Sequence, residues 1–134
     1  MALASINPFA VILATIAAQA IGFLWYSPVL FGNQWMRALG KRPDEIGRPG
    51  PSIAIAAISA LVSALVLALL IPMANAQSLI GGLMVGLLAG IGFVTTAILI
   101  SGAFEGRPRM VSAIFVGYQL VTLSVMGMII GVFG

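Results

Sequence analysis

Histidine and cysteine are missing from this chain, and charged side chains are scarce. Its 134 residues include six Lys or Arg and three Asp or Glu. Zinc, haem and iron–sulfur sites normally use Cys or His ligands, so no such metal site is expected. Histidine acid–base chemistry and thiol nucleophiles are excluded for the same reason. Three carboxylates leave little material for other catalytic groups, so we expect neither an enzyme nor a bound cofactor.

The few charges are concentrated in two short windows. Residues 1–36, 49–104 and 110–134 contain no charged side chain. A soluble domain carries about a quarter charged residues, whereas this chain carries 7%. Such a composition cannot form a water-exposed surface, and it indicates an integral membrane protein whose surroundings are the lipid bilayer. Cations that flank apolar spans usually set membrane orientation, so we expect no nucleic-acid partner.

Four apolar stretches are long enough to cross a bilayer, which takes about 20 helical residues. Ile53–Ile71, inside the second stretch, holds eleven Leu, Ile or Val residues, which favour insertion by about 3 to 7 kcal/mol. A polar break at residues 73–78 predicts a tight turn. We therefore predict an all-α fold for 1–134 as a single membrane domain: a compact bundle of four transmembrane helices, arranged as two tandem hairpins. The predicted helices cover residues 8–31, 52–74, 79–104 and 110–133.

The basic residues predict the orientation of these helices. Arg37, Lys41, Arg42 and Arg48 lie in the first loop, 32–51, and Arg107 and Arg109 in the third, 105–109. Short basic loops stay in the cytoplasm, so both termini are expected outside. Residues 33–39 are predicted to form a short interfacial helix. Residues 41–45 read as a solvated turn, and residues 47–51 as a break before the second span.

An N-terminal signal peptide is the alternative for the first span. Ala18-Gln19-Ala20 resembles a cleavage site of small residues. No basic residue precedes the apolar stretch, however, and apolarity continues through Trp25. We therefore expect the first span to remain uncleaved.

Small residues recur at every fourth position of the spans, which permits close backbone approach between helices in lipid. The pattern predicts tight packing inside the bundle, and one stripe is a candidate face for another subunit. The sequence leaves open which stripe does which. The stripes are Ala10/Ala14/Ala18/Gly22, Ser52/Ala56/Ala60/Ala64/Ala68, Gly82/Gly86/Gly90 and Gly127/Gly131.

Polar side chains within the spans form a candidate site, since each needs a hydrogen-bond partner there. Six lie at similar predicted depth and are called the polar layer: Gln19, Thr95, Thr96, Tyr118, Gln119 and Thr122. They are either hydrogen-bonding links between helices, each contributing about 0.6 kcal/mol, or the lining of a small pocket for a lipid head group, a quinone or a neutral solute.

A second candidate, the interfacial motif, lies where spans are expected to meet the membrane surface. It comprises Trp25, Tyr26, Ser27, Pro28, Trp35, Glu105, Arg107 and Arg109. The aromatic part is either an anchor at a proline-bent helix end or a grip on a ligand. The charged part is either a turn with a local Glu105–Arg107 pair or a latch for a partner or anionic lipid.

Three sequence blocks carry a resemblance to a known family. They are Gly22-Phe-Leu-Trp-Tyr-Ser-Pro-Val-Leu-Phe-Gly32, Phe104-Glu-Gly-Arg-Pro108 preceded by Thr95-Thr96, and Gly117-Tyr-Gln-Leu-Val121 followed by Met126-Gly127. With these blocks the chain resembles the bacterial family called domain of unknown function 1761. The resemblance implies a small multi-pass membrane protein and no particular activity. In that family the position of Gln119 is often His, so a possible ligand or proton carrier is missing here.

Together these features predict a non-enzymatic protein of the bacterial cytoplasmic (inner) membrane. It would act through helix–helix contacts as an accessory, assembly or oligomer-forming subunit, as a homo-oligomer or within a larger membrane complex. The alternative is a small transporter or binding protein for a neutral solute or lipid, using the polar layer.

Overall fold

The computed structural model describes residues 6–41 and 50–134, which are helical apart from short turns. A π-helical segment, Gly90–Thr95, joins α4 to α5 without a break, so that these three pieces form one long helix. The α-helices are α1 Pro8–Trp25, α2 Gly32–Leu39, α3 Gly50–Met73, α4 Leu79–Ala89, α5 Thr96–Glu105 and α6 Arg109–Phe133.

Four helices have the length and apolarity needed to cross a membrane. They are Pro8–Trp25, Gly50–Met73, Leu79–Glu105 and Arg109–Phe133. The prediction of an all-α membrane protein with four spans is confirmed. The predicted short helix in the first loop is present as α2. Most of the solvated turn predicted at residues 41–45, and most of the break predicted at residues 47–51, lie outside the described residues.

The first span is shorter than predicted, because α1 ends at Trp25 and not at Phe31. The residue before a proline is disfavoured in helical conformation, and Pro28 has no N–H to continue the ladder. The chain instead folds back through a turn in which the Phe31 N–H donates to the Trp25 carbonyl over 3.0 Å. Residues 26–31 therefore lead out of the span and into α2.

The remaining turns follow from local residue chemistry. The tight turn predicted at residues 73–78 is present between α3 and α4, where Asn75 adopts a left-handed φ of 56°. The Ser78 hydroxyl then caps α4 by accepting from the Gly81 N–H. At the other end of the bundle Gly106 ends α5 with a φ of 68°, a conformation that glycine adopts without steric cost.

Helix α6 is the centre of the bundle, packing against α1, α3 and α4. The arms of each predicted hairpin are in contact: α1 with α3, and α4 with α6. The start of α1 lies beside the end of α6, where the Asn7 amide donates to the Phe133 carbonyl over 2.7 Å. We call this the opposite end of the bundle; the basic end carries Arg37, Lys41, Arg107 and Arg109.

The core lies in the half of the bundle nearer the opposite end. Ala14 and Ala64 are fully buried there, and Leu67, Ile71 and Met126 are the largest enclosed side chains. These small and aliphatic residues allow α1, α3 and α6 to approach closely. The stripes predicted on α1 and on the second half of α3 are therefore used inside the chain.

The glycine stripes of α4 and α6 bring the two backbones into contact. A Cβ added at Gly82 would stand only 1.9 Å from the Gly127 carbonyl oxygen, and one added at Gly131 only 2.1 Å from the Ser78 oxygen. No side chain larger than hydrogen fits such gaps, and in lipid this close approach supplies van der Waals attraction. These glycines therefore pack against other helices of the same chain.

The half of α3 nearer the basic end is packed differently. Between Gly50 and Ser63 no side chain is buried, whereas Ala64, Leu67, Ala68 and Ile71 are. Along the small-residue stripe of α3, Ser52 is exposed, Ala56 and Ala60 are half-buried, and Ala64 is enclosed. The burial gradient indicates that the basic half of α3 is little covered by the rest of the described chain.

Candidate functional site

Contacts between α1 and α6 fix the depth of the polar layer. Gly22 lies against the Tyr118 ring, and the two helices run antiparallel. Gln19, one turn before Gly22, is therefore level with Thr122, one turn after Tyr118. The rise of 1.5 Å per residue places Tyr118, Gln119, Thr122 and Gln19 within about 8 Å along the bundle axis.

The third span contributes Thr95 to the same region. Gly90 lies against the side chain of Leu120, and Gly102 lies against Ser112. Thr95 falls between these two contacts and so lies level with the turn of α6 just before Gln119. The polar layer thus receives side chains from α1, the π-helical segment and α6.

Hydrogen bonding within the layer is incomplete. Among the residues that the structure describes, three buried side-chain atoms have no hydrogen-bond partner: Gln19 Nε2, Thr95 Oγ1 and Thr122 Oγ1. We call these the orphan atoms. All three belong to the predicted layer, and Thr122 is only 5% exposed. The observed geometry does not show them linking the helices.

Thr96 does not join the layer. Its side chain is exposed, and its hydroxyl donates to backbone carbonyls of its own helix, those of Gly92 at 2.9 Å and Phe93 at 3.0 Å. The neighbouring Thr95 points to the opposite side, into the bundle. Helix geometry separates adjacent residues in this way, so only one of two consecutive threonines can serve the site.

The π-helical segment is a feature that the sequence reading missed. It occupies Gly90–Thr95, in the middle of the third span, and ends at the orphan hydroxyl of Thr95. Single π turns are rare and are frequently found at functional sites. The available signal was the glycine pair Gly90 and Gly92, which weakens the regular helix locally.

The interfacial motif forms the reversal from α1 to α2. The Ser27 hydroxyl donates to the Leu24 carbonyl over 2.7 Å, and the Gly32 N–H donates to the Ser27 carbonyl over 2.9 Å. A Cβ at Gly32 would lie 2.4 Å from the Tyr26 carbonyl oxygen, so the turn requires glycine there. The block from Trp25 to Gly32 is thus a compact structural turn.

Trp25 fastens this turn to α6. Its indole N–H donates to the Ile114 carbonyl over 2.9 Å, and its ring lies where a Cβ of Gly117 would be 2.9 Å away. The ring also packs on Phe31, with centroids 4.7 Å apart. Gly117 therefore leaves the space on α6 against which the Trp25 ring packs. The sequence did not indicate this role.

An aromatic cluster connects the interfacial motif to the polar layer. Tyr26 packs edge-on against Trp35 of α2 at 5.0 Å and against Tyr118 at 5.7 Å, and Tyr118 in turn stacks on Phe115 at 6.1 Å. Burial, with a smaller contribution from the nearby Tyr118 hydroxyl, raises the pKa of Tyr26 to about 12. The phenol therefore stays neutral at physiological pH, and the two predicted sites meet at Tyr118.

The charged part of the interfacial motif is a local pair. Arg107 Nη2 bonds to a Glu105 carboxylate oxygen at 2.5 Å and to the Ser101 hydroxyl at 3.1 Å. Glu105 is 63% exposed in its side chain and Arg107 25% exposed. The predicted Glu105–Arg107 pair is confirmed, and Arg109 follows it as the first residue of α6.

Comparison with known proteins gives the family of the chain. Residues 9–131 match the family model described as "Protein of unknown function (DUF1761)". The chain belongs to this family. No curated protein and no solved structure matched it.

The three blocks that suggested the DUF1761 family have distinct places in the fold. The first forms the turn between α1 and α2, and the second forms the turn between α5 and α6. The third lies on α6 and carries Gly117, Tyr118 and Gln119. Gln119 is half-buried, and as an amide it can donate and accept hydrogen bonds but cannot carry a proton as His does.

The chemistry available to this DUF1761 protein is hydrogen bonding. Across the described residues no group of three or more His, Cys, Asp or Glu side chains converges to hold a metal ion. The polar layer consists of amide and hydroxyl groups and lacks any charged residue. It can bind an uncharged polar molecule, but it offers neither a countercharge nor a carboxylate base.

Proposed function

We propose that this protein is a non-enzymatic membrane subunit that acts through contacts between transmembrane helices, as an oligomer-forming or accessory component. The observation that carries the proposal is the uncovered half of α3. Ser52 and Ser59 are exposed there, next to half-buried Ala56 and Ala60. Small and hydroxyl-bearing residues are typical of helix–helix interfaces in lipid, because they allow close approach and hydrogen bonding.

A second copy of this chain is the partner we favour. The other small-residue stripes are filled by contacts within the chain, as at Gly82 and Gly127. The stripe on α3 continues past its internal partners toward the basic end, so a symmetric pair of α3 helices could use it. Two-fold contacts of this kind are the commonest form of homo-oligomer.

The test is native mass spectrometry of the protein in nanodiscs. Ser59→Leu should convert oligomers to monomers while the yield of folded protein stays unchanged. The matched control is Ala97→Leu, which adds a similar side chain at an exposed position of α5 and should leave the stoichiometry unchanged. A wild-type protein that is monomeric at every concentration and brings no partner would refute the proposal.

The same proposal includes an orientation in a bacterial cytoplasmic membrane, with the basic loops inside and the termini outside. It is supported by the clustering of Arg37, Lys41, Arg107 and Arg109 at one end of the bundle, since short basic loops are retained in the cytoplasm. Lys41 is the one lysine of the chain. An impermeant amine reagent applied to intact cells should therefore leave the Lys41 peptide unmodified and label it after permeabilisation.

A second candidate function is binding or transport of a small neutral solute or lipid at the polar layer. The orphan atoms favour it, because a layer that only linked helices would have its hydrogen bonds filled by protein. Gln119→Leu should then abolish retention of a copurifying small molecule and leave melting in detergent unchanged. A loss of folded protein with this variant would instead show that the amide links helices.

A further inference from the structure

The orphan atoms make no hydrogen bond of good geometry to the described residues, although the Tyr118 hydroxyl lies near that of Thr122. A buried polar group left without a hydrogen bond costs about 1–3 kcal/mol, and native structures fill nearly all such groups with protein or ordered water. The three atoms belong to three different helical segments. Gln19 and Thr122 are level, and Thr95 lies about 8 Å nearer the basic end by the contacts of the third span with α6. One such hydroxyl could be an isolated defect, whereas three within this short length of the bundle indicate a hydrated region.

Packing differs on the two sides of this level. Toward the opposite end the layer is closed by Ala14, Ala64 and Met126, each at most 1% exposed. Toward the basic end, α3 buries no side chain from Ser63 back to Gly50. The half-buried Phe115, Tyr118 and Gln119 lie on the corresponding part of α6. The proposed route to the polar layer is the space between this half of α3 and α6, which we call the crevice.

The side chains at the layer define what can occupy it. Gln19 Nε2 is a donor without an acceptor, and the two orphan hydroxyls can donate or accept. A charged occupant would lose its hydration without gaining a countercharge, which is costly in a low-dielectric environment. Uncharged molecules with an accepting oxygen suit these groups, and water is the smallest example.

We propose that the polar layer is a hydrated site, open to the basic end through the crevice beside α3, which binds uncharged molecules bearing a hydroxyl, carbonyl or ether oxygen. Water is its resident occupant. The proposal deepens the second candidate function by naming the ligand class and the route of access, and it does not depend on oligomer formation.

Because the chain has no native cysteine, single cysteines can report hydration directly. Thr122→Cys and the control Met126→Cys lie one turn apart on the same helix, and both positions are buried. Thiols react as thiolates, which form in hydrated surroundings and are suppressed in apolar ones. In nanodiscs, methyl methanethiosulfonate should modify Thr122→Cys at least about tenfold faster than Met126→Cys, as followed by intact mass. Equal rates would overturn the proposal.

The route of access is tested on the same reporter. Adding Ala57→Trp to Thr122→Cys should slow modification, because the indole fills the crevice. Ala57 is half-buried two turns before the enclosed Ala64 and lies off the stripe proposed to contact a second copy. The matched control, Ala74→Trp, lies at the opposite end at an exposed position and should have no effect. Unchanged rates with Ala57→Trp would rule out access from the basic end.

A measurement on the wild-type chain tests hydration without any substitution, so that misfolding of a variant cannot affect the result. In water-edited solid-state NMR, Thr95 and Thr122 should receive magnetisation from water, whereas Ala14 and Ala64 should not. If Thr95 and Thr122 received no magnetisation from water, the proposed hydration of the layer would be wrong. Hydration without retention of any solute would support the hydrated site and its access route but contradict solute binding there and with it the second candidate function, so the two failures are distinguishable.

Discussion

The two halves of the bundle pack through different kinds of contact. Near the opposite end the helices meet through alanine and glycine, with Gly82 and Gly127 in backbone contact. Near the basic end aromatic rings contribute to the contacts, and Tyr26 packs against both Trp35 and Tyr118. Small residues allow two helix backbones to touch, whereas a ring between two helices separates their backbones.

The polar layer lies at the boundary between these two kinds of packing. Thr122 is enclosed and follows Tyr118 by one turn on α6, while the core residue Met126 comes one turn later. The layer therefore has closely packed residues on one side and the little-covered half of α3 on the other. Binding sites in helical bundles are formed in the core by side chains from facing helices.

The largest expected effect comes from separating the glycine contact. Gly82→Ala would place a methyl group 1.9 Å from the Gly127 carbonyl oxygen, so α4 and α6 must move apart. We expect a loss of more than about 3 kcal/mol in the free energy of unfolding, measured by thermal circular dichroism in detergent. Gly92→Ala is the control, because a Cβ there meets open space. Similar melting of the two variants would contradict the proposed backbone contact.

Removal of the Trp25 ring near the basic end should lower the free energy of unfolding by a smaller amount. Trp25→Ala removes the indole N–H bond to Ile114 and the packing on Gly117. Because Trp25 is only half-buried, we expect a loss of about 2 kcal/mol, below the 3–5 kcal/mol typical of enclosed rings. Phe23→Ala, at a ring 61% exposed, should change the melting temperature little. A Trp25→Ala protein as stable as Phe23→Ala would show that the ring does not fasten the turn.

A smaller effect distinguishes a hydroxyl bonded to protein from one whose proposed partner is water. Thr122→Val keeps the side-chain volume and removes a hydroxyl without a protein partner, so stability should change by less than about 0.5 kcal/mol. Thr15→Val removes a hydroxyl that donates to the Val11 carbonyl over 2.8 Å, and should lose about 0.5–1 kcal/mol. Equilibrium unfolding of both variants gives the comparison. If Thr122→Val were the more damaging change, its hydroxyl would have a protein partner.

The smallest effect is expected at the charged turn of the basic end. Glu105→Gln removes the ion pair with Arg107, but exposed pairs contribute little, so the melting temperature should be unchanged. Ser101→Ala removes the other side-chain partner of Arg107 and serves as the control. A marked drop with Glu105→Gln alone would mean that the pair acts as a latch holding α5 to α6.

The sequence predicted the architecture well, because hydropathy and helix length are local properties. Four apolar stretches became four spans, and the break at residues 73–78 became the turn containing Asn75. The end of α1 was misjudged, since the residues from Val29 to Phe31 are apolar and resemble a continued span. There the local effect of Pro28 ended the helix despite the hydropathy.

The candidate site was predicted only in part. The depth of Gln19, Tyr118 and Thr122 could be counted from the helix ends, and the contacts place them at one level. Periodicity could not show that Thr96 is exposed, because the π turn shifts the helical phase between Gly90 and Thr95. Gly117 carries no chemistry of its own, and its role appeared only when Trp25 was found against it.

Composition and hydropathy predicted a membrane protein with four apolar helices long enough to cross a bilayer, because charge-free apolar stretches of about 20 residues are typical of transmembrane helices. Only the tertiary structure decided that the glycine stripes pair within one chain, that the basic half of α3 stays little covered, and that three polar atoms make no hydrogen bond to the rest of the described chain. Those outcomes depend on which faces of distant helices meet, and a single helix carries no information about its neighbour's register.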